Sequence, residues 1–323
     1  MNNMIKRLAA LFFAMAMILT ACGGEKTGGE SKGSAEGGQG TIYATTLSAY
    51  DFTDRIAGDR YQVVHLMEGV TDTHHWEPSP DDLVKLDEAK MLVINGAGYE
   101  LWLESVIDNL DKAVVLVDSS QGIDLLSATG GHDHGEEEEE HDDHGHNHGA
   151  FDPHYWTSPK VASKQAENIY KALVEMDPEG KEVYEKNFEA LKEDLKKLDE
   201  EYQSKLKGYE GRAIVVPHLA YSYLADEFGL EQIAIEGLLA DGDPNPQRMA
   251  EIVELAKKQT IKLVFYDAYG TDKTAAQIAA ELGTETAPLY TLESVSKEDM
   301  DKGEDYFSLM RKNLESILKA FGE

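Results

Sequence analysis

The sequence is poor in cysteine and in basic residues. Cys22 is the single cysteine among 323 residues, so no disulfide can form within the chain. Thirty Lys and Arg face 61 Asp and Glu, which gives a formal net charge of -31. A protein this acidic would repel a polyanion, and we therefore exclude nucleic-acid binding. The composition suits a well-solvated protein or one that collects cations.

Long apolar runs are also scarce. The run Leu8–Leu19 holds twelve apolar residues, too few to span a bilayer as a helix. It follows the basic segment "MNNMIKR" and ends in "LTAC", which together resemble the signal peptide and lipobox of bacterial lipoproteins. We predict a signal peptide over 1–21, lipidation of Cys22, and a Gly/Ser-rich flexible tether over 22–40. The protein would then be extracytoplasmic and anchored to the cell membrane; the alternative is an ordinary secretory peptide.

After residue 40, short apolar strands alternate with amphipathic helices. The segments "TIYATTL", "YQVVHLM", "MLVIN" and "AVVLVD" are typical of strands, and "RAIVVP", "EQIAIEG" and "KLVFYD" repeat the pattern later. This alternation predicts an α/β fold with parallel sheets. We predict an N-terminal lobe over 41–159, a helical region over 160–208 and a C-terminal lobe over 209–323.

The helical region contains an unusually long apolar repeat. Asp177 is placed to cap it, Pro178 to occupy the first turn and Gly208 to end it. Thirty residues would form a rod of about 45 Å. We interpret it as a rigid spine between two lobes, against the alternative of a surface helix of the second lobe. Its apolar positions, mostly three to five residues apart, are Val183, Phe188, Leu191, Leu195, Leu198 and Tyr202.

Eleven histidines fall into two groups. Six lie in an acidic tract over 132–148 that has no apolar residue and cannot build a core. They are His132, His134, His141, His144, His146 and His148. Of the other five, His65 lies inside a strand pattern and is interpreted as structural.

The remaining histidines occupy loop positions. His74 and His75 follow the second strand, His154 follows Pro153, and His218 ends a strand of the second lobe. Because open α/β sheets bind ligands outside the carboxyl ends of their strands, these segments could meet in one cleft. Three imidazoles favour zinc, whereas carboxylate-rich sets favour manganese, magnesium or calcium.

In combination these motifs resemble one family. The order "TDTHHWEPSP", acidic His-rich insert, "DPHYWTSP", long helix, "VPHLAYSY" and "FYDAYGTDKTAAQIAAELG" is similar to the zinc-specific branch of the cluster A-I solute-binding proteins, the ZnuA/AdcA-type lipoproteins. The resemblance implies two Rossmann-like lobes joined by one long rigid helix, with Zn²⁺ in the cleft between them. It also implies a monomer that delivers zinc to the permease and ATPase of an ABC importer.

The same resemblance implies a ligand set. His74, His154 and His218 fall on the family's three histidines, and His75 falls on the adjacent non-ligand place, with the alternative that His75 replaces or adds to His74. The manganese-importing relatives carry glutamate where this chain has His218. For the fourth ligand, relatives use an acidic residue near "FYDAYGTD" or a water; here the resemblance leaves Asp267 and Asp272 open, Asp272 being nearer to the aspartate of the manganese branch.

Other functions stay open at this level. We interpret the acidic tract as an accessory loop that captures zinc weakly and passes it to the tighter site; the alternative is a solvated linker. A manganese-binding relative, a surface zinc store or adhesin, and a zinc hydrolase are the competing functions. Against an enzyme, the sequence has no H-E-x-x-H motif and no nucleophile elbow. Zinc affinity should fall as the pH drops through about 6.5, where imidazoles protonate.

Overall fold

Two four-stranded parallel sheets with flanking helices form the fold. The structure, a computed structural model, describes residues 39–128, 151–240, 242 and 244–323. The elements of the first lobe are β1 (Thr41–Ala44), α1 (Leu47–Ala57), β2 (Gln62–His65), α2 (Pro80–Asp87), β3 (Met91–Ile94), α3 (Leu103–Ile107), β4 (Val115–Asp118) and α4 (Pro159–Met176). A long helix, α5 (Lys181–Leu206), follows.

The second lobe repeats the alternation. Its elements are β5 (Ala213–His218), α6 (Ser222–Phe228), β6 (Glu231–Glu236), α7 (Pro246–Gln259), β7 (Leu263–Asp267), α8 (Lys273–Leu282), β8 (Glu285–Leu289), α9 (Lys297–Asp301) and α10 (Tyr306–Phe321). The strand orders are β2-β1-β3-β4 and β6-β5-β7-β8, with every pair parallel. The predicted α/β fold with two parallel-sheet lobes is confirmed.

Both sheets place their carboxyl ends where a ligand could bind. In the first sheet, Ala44 pairs with His65 at the end of β1 and β2. In the second sheet, His218 is the last residue of β5 and pairs with Glu236. The loops that leave these strand ends are therefore the segments that can converge on a cleft.

Helix α5 connects the two lobes. It has 26 residues, which corresponds to about 39 Å at about 1.5 Å per residue. Near its start the Asn187 amide donates to the carbonyl of Ile56 at the end of α1. Near its end the Tyr202 hydroxyl donates to the carbonyl of Met310 in α10. The predicted spine is thus present, although it ends at Leu206 rather than at Gly208.

The start of α5 differs from the prediction. Pro178–Gly180 form a separate 3₁₀ turn, and α5 itself begins at Lys181. Val183 is 42% exposed, whereas its neighbour Tyr184 is buried and donates to Asp177. The buried residues of α5 recur every three or four positions from Tyr184 onward, and Val183, five residues before Phe188, lies outside that face.

Strand β8 (Glu285–Leu289) is present in the structure but is not predicted from the sequence. Its segment, "ETAPL", contains Pro288, which would disrupt a central strand. The strand lies at one end of the sheet order and pairs only with β7 among the described elements. A proline is tolerated there because an edge strand can leave one side of its backbone unpaired.

The segment after β8 binds to the first lobe. The backbone amide of Leu47 donates to the carbonyl of Glu293, and the amide of Gly69 donates to the carbonyl of Val295. The Ser294 hydroxyl donates to the carbonyl of Met67. Hydrogen bonds at Glu293 and at the two residues after it therefore hold this segment against the first lobe.

Several predicted features lie outside the described residues. These are the signal peptide over 1–21, Cys22, nearly all of the tether over 22–40, and the six histidines of the tract over 132–148. Within the described ranges, none of the helices combines the length and the apolar character that crossing a bilayer requires.

Candidate metal centre

Three histidines and one glutamate meet between the lobes. His74, His154, His218 and Glu293 each offer one ligand atom, and these four atoms lie within 4.8 Å of one another. The first two residues come from loops of the first lobe; in the second lobe, His218 is the last residue of β5 and Glu293 follows β8. All four side chains are buried.

Local sequence features set the position of each histidine. His74 lies in the loop between β2 and α2. Helix α2 begins at a capping box formed by Ser79 and Asp82, which determines where this loop ends. His154 precedes a 3₁₀ turn and then α4, where Ser158 is the N-cap and Pro159 the first helical residue.

The distances within the cluster fit a tetrahedral ion. A zinc ion about 2.0–2.1 Å from each ligand atom would place those atoms about 3.3 Å apart. The two Nε2 atoms of His74 and His154 are 3.3 Å apart. Glu293 Oε1 lies 3.1 Å from His154 Nε2, 3.2 Å from His218 Nε2 and 3.5 Å from His74 Nε2.

Carboxylates control the protonation of the cluster. Burial would raise the pKa of Glu293, but the three neighbouring histidines hold it well below the usual range. Burial would lower the pKa of His154, but its hydrogen bonds to Asp152 and Glu293 raise it to about 9. Burial lowers the pKa of His74, although Glu293 opposes this. Glu293 is therefore ionised and faces a protonated His154, which can exchange its proton for a metal ion.

Asp152 supports His154 from behind. Its Oδ1 lies 2.8 Å from His154 Nδ1 and accepts the backbone N–H of His154 at 2.9 Å. A carboxylate at this position keeps the proton on Nδ1 and leaves Nε2 free to bind a metal. The Tyr223 hydroxyl in turn donates to the carbonyl of Asp152 at 2.7 Å.

Aromatic side chains enclose the cluster. The Tyr99 ring lies 5.0 Å from the His74 ring, and the Trp156 ring lies 5.3 Å from the His154 ring, between centroids. The Trp156 indole N–H donates to the carbonyl of Thr291, two residues before Glu293. Both rings are buried, and the Trp156 bond connects the loop of His154 to the segment that carries Glu293.

The structure brings together the three predicted histidines but neither predicted aspartate. Asp267 Oδ1 accepts the backbone N–H of Tyr269, which turns this carboxylate toward its own loop. Asp272 is exposed in front of α8. The fourth member of the cluster is Glu293, so the prediction of Asp267 or Asp272 does not describe this cluster.

Asp267 nevertheless lies in the same electrostatic environment. Burial and the negative charge of Glu293 raise the pKa of Asp267, while His218 lowers it. A second ionised carboxylate beside Glu293 would be costly, which is a physical reason for one acid rather than two in the cluster.

The other predicted histidines stand apart from the cluster. His75 is 47% exposed, and its Nδ1 lies 2.9 Å from Asp72 Oδ1. His65 is buried and stacks on Tyr50 at 5.4 Å between ring centroids, in agreement with a structural role. Sequence reasoning missed Glu293, although it follows an apolar segment after α8 where an α/β alternation requires another strand.

Comparisons with known proteins agree with this architecture. The family described as "ZnuA: Zinc-uptake complex component A periplasmic" matches residues 42–320. The chain is 34% identical to the high-affinity zinc uptake system protein ZnuA of Bacillus subtilis, over 97% of this chain and 98% of that protein. It is 35% identical to the zinc-binding lipoprotein AdcA of Streptococcus pneumoniae, over 97% of this chain and 60% of that longer protein.

A solved structure extends the similarity to three dimensions. The Zn(II)-bound ZnuA-like domain of Streptococcus pneumoniae AdcA superposes with a TM-score of 0.73 at 33% identity. The match covers 88% of this chain and 99% of that domain.

Proposed function

The chain belongs to the ZnuA family, and from this premise we propose that it captures extracytoplasmic Zn²⁺ and delivers it to a metal ABC importer. The observation that best supports this proposal is the convergence of four side chains on one point between the lobes: His74, His154, His218 and Glu293. The family relatives named above are a zinc uptake protein and a zinc-binding lipoprotein. Zinc is the cargo of this protein rather than a resident cofactor.

The donor set supports zinc over manganese. Three imidazole nitrogens with one carboxylate oxygen suit a four-coordinate zinc ion, whereas manganese favours oxygen-rich sites of higher coordination number. The single acidic member and the tetrahedral spacing of the ligand atoms both agree with that preference.

The same geometry favours binding over catalysis. A catalytic zinc site keeps one coordination position open for water or substrate. Here Glu293 supplies a fourth protein ligand, and aromatic rings close the surroundings. We therefore propose that the chain is not an enzyme and that it performs its task by binding and release.

Metal titration of the full chain tests the proposal. Competition with a chelator should reveal one tight Zn²⁺ per chain, lost in His154→Ala and in His218→Ala and weakened strongly in Glu293→Gln. His75→Ala is the matched control, because His75 neighbours the cluster in sequence but points to Asp72. Tight binding that survives His154→Ala would contradict the proposed site.

Delivery requires a transporter and a membrane anchor. We propose lipidation at Cys22, a monomeric state, and docking onto a permease that works with an ATPase. Cys22→Ala should release the protein from the membrane fraction while zinc binding is retained. A variant that stays membrane-bound would contradict the anchor. A strain that lacks the gene should grow poorly when zinc is scarce and recover when zinc is added. This result would distinguish import from a surface store or adhesin.

The acidic tract is proposed as an accessory zinc collector. Its six histidines and many carboxylates would bind zinc weakly and exchange it quickly near the tight site. Deleting 132–148 should leave the tight site intact and lower zinc uptake when zinc is scarce. Unchanged uptake under scarcity would contradict this role.

The proposed division into lobes over 41–159 and 209–323, with a helical region over 160–208, predicts how metal enters. Because α5 is bound to both lobes, we propose that loops rearrange around the ion while the lobes move little. Small-angle scattering of the zinc-free and zinc-loaded protein should give nearly equal radii of gyration; a large decrease on loading would contradict this.

A further inference from the structure

The two oxygens of the Glu293 carboxylate have different surroundings. Oε1 faces the three histidines, at 3.1 to 3.5 Å from their Nε2 atoms. Oε2 instead accepts a hydrogen bond from the Thr73 hydroxyl at 2.6 Å. One oxygen is thus presented to the metal position, and the other is held by a neighbouring side chain.

The hydrogen bond that Thr73 donates to Glu293 is short and therefore strong. A hydroxyl that donates to an ionised carboxylate at about 2.5–2.7 Å forms a charge-assisted hydrogen bond. Thr73 is only 4% exposed and Glu293 only 6% exposed, so water does not compete effectively for either partner. The bond also crosses between lobes, since Thr73 precedes His74 in the first lobe and Glu293 follows β8 in the second.

This arrangement controls the number of ligand atoms. Glu293 with only Oε1 toward the ion gives four ligand atoms, the number that zinc prefers. If Oε2 turned toward the ion as well, the carboxylate would bind through both oxygens and the site would offer five. Cations that favour more oxygen ligands, such as Mn²⁺, would gain from that change and zinc would not.

We propose that Thr73 is a positioning residue that holds Glu293 in one-oxygen coordination and thereby makes the site selective for zinc over manganese. The inference rests on the proposed function, because it assumes that the cluster binds zinc. It assigns the selectivity to a hydroxyl that does not touch the ion, in addition to the three histidines that do.

The test compares Thr73→Val, Thr73→Ser and the unaltered full chain, solubilised in detergent. Valine removes the hydroxyl at nearly constant volume, and serine restores it. Chelator competition measures Zn²⁺ and Mn²⁺ affinities, and the visible absorption of the Co²⁺-loaded protein reports the coordination number. Tetrahedral Co²⁺ absorbs far more strongly than five- or six-coordinate Co²⁺. The acidic tract is identical in all variants and contributes equally to each titration.

We expect Thr73→Val to lose about tenfold or more in zinc affinity, as is typical when a ligand's hydrogen-bond partner is removed. Its zinc-to-manganese affinity ratio should fall by a similar factor, its Co²⁺ absorption should weaken, and Thr73→Ser should restore all three. An unchanged ratio and an unchanged Co²⁺ spectrum in Thr73→Val would overturn the inference, even if both affinities dropped together. Should the valine variant not fold, Thr73→Ala against Thr73→Ser provides the same comparison with a smaller side chain.

Failure of the proposed function gives a different result. An unaltered chain without a tight zinc site, or with one that is insensitive to His154→Ala, would remove the basis of both proposals. A tight, histidine-dependent site with the same zinc-to-manganese ratio in every Thr73 variant would overturn only the role of Thr73.

Discussion

Single residues outside the cluster determine the chemical state of those within it. Asp152 illustrates this, because its carboxylate lies 2.8 Å from His154 Nδ1 and is itself fully buried. The hydrogen bond to His154 helps to lower the pKa of Asp152 against the effect of burial. An ionised Asp152 makes the imidazole a better donor to a metal, because it stabilises positive charge on the ring.

Replacement of Asp152 should therefore weaken zinc binding without removing it. Asp152→Asn keeps an oxygen that can accept from Nδ1 but removes the negative charge. We expect zinc affinity to fall by about 10- to 100-fold, measured by chelator competition. Asp124→Asn, at an exposed position of the same lobe, is the control and should bind like the unaltered protein. Equal affinities for the two variants would contradict a supporting role for Asp152.

A second buried carboxylate, Asp51 in α1, should make stability depend on pH. Burial raises its pKa to about 6 from 3.8, and Asp305 and Asp54 add to this, while Arg55 lowers it. A raised pKa in the folded state contributes stability that is complete below about pH 4 and is lost as the pH rises through 6. The contribution is about 3 kcal/mol, since one pKa unit corresponds to about 1.4 kcal/mol.

Asp51→Asn should remove this dependence. Between pH 4 and pH 7, the free energy of unfolding of the unaltered protein should fall by up to about 3 kcal/mol relative to the variant. Arg55 keeps a partner in the variant, because its Nη2 lies 2.6 Å from Asp305 Oδ2. Urea unfolding at several pH values measures the difference. A difference that does not vary with pH would show that Asp51 is not protonated in this range.

At the scale of elements, the sequence predicts most of the fold but not its last strand. Apolar runs such as "MLVIN" and "KLVFYD" predict β3 and β7 because both are strongly apolar segments flanked by helices. Strand β8 contains Pro288 and alternates weakly, so its pattern resembles a loop. Since Glu293 follows β8, the missed strand and the missed cluster residue have one cause.

Two of the three histidines are predictable for the opposite reason. His218 ends a strongly apolar strand, and His154 stands before a Ser-Pro helix start, so the sequence gives both of them a definite position. The distances among them depend instead on how the two lobes pack, and no local pattern contains that information. The same is true of Thr73, whose partner Glu293 lies 220 residues further along the chain.

Helix α5 should contribute strongly to stability through its buried face. Leu198 is fully buried there, and Leu198→Ala would leave a cavity. We expect a loss of about 2–5 kcal/mol in the free energy of unfolding, measured by denaturant titration. Lys196→Ala, two residues away with 65% of its side chain exposed, should change stability by less than about 0.5 kcal/mol. Similar losses in both variants would contradict the assigned faces of α5.

At the scale of the whole molecule, metal binding and lobe packing are coupled. Two cluster residues belong to each lobe, and Phe52 of α1 packs edge-on against Tyr306 of α10 at 4.9 Å between ring centroids. The Leu47 amide also bonds to the carbonyl of Glu293. An ion in the cluster therefore stabilises the folded unit as a whole rather than one lobe.

Zinc should raise the melting temperature in a single transition. At a free zinc concentration about a thousand times the dissociation constant, the stabilisation is about 4 kcal/mol. For a chain of this size that corresponds to roughly 6 °C, measured by calorimetry. His218→Ala should abolish the shift. A zinc effect confined to one of two separate transitions would contradict the coupling.

The order of the cluster residues along the chain has a consequence for biosynthesis. His74 and His154 are 80 residues apart, and His218 and Glu293 are 75 residues apart. Glu293 therefore joins the other three only after the chain has been synthesised through both lobes as far as the segment that follows β8. A chain truncated before residue 293 would carry the three histidines without their carboxylate, so the complete ligand set depends on synthesis of the second lobe through β8.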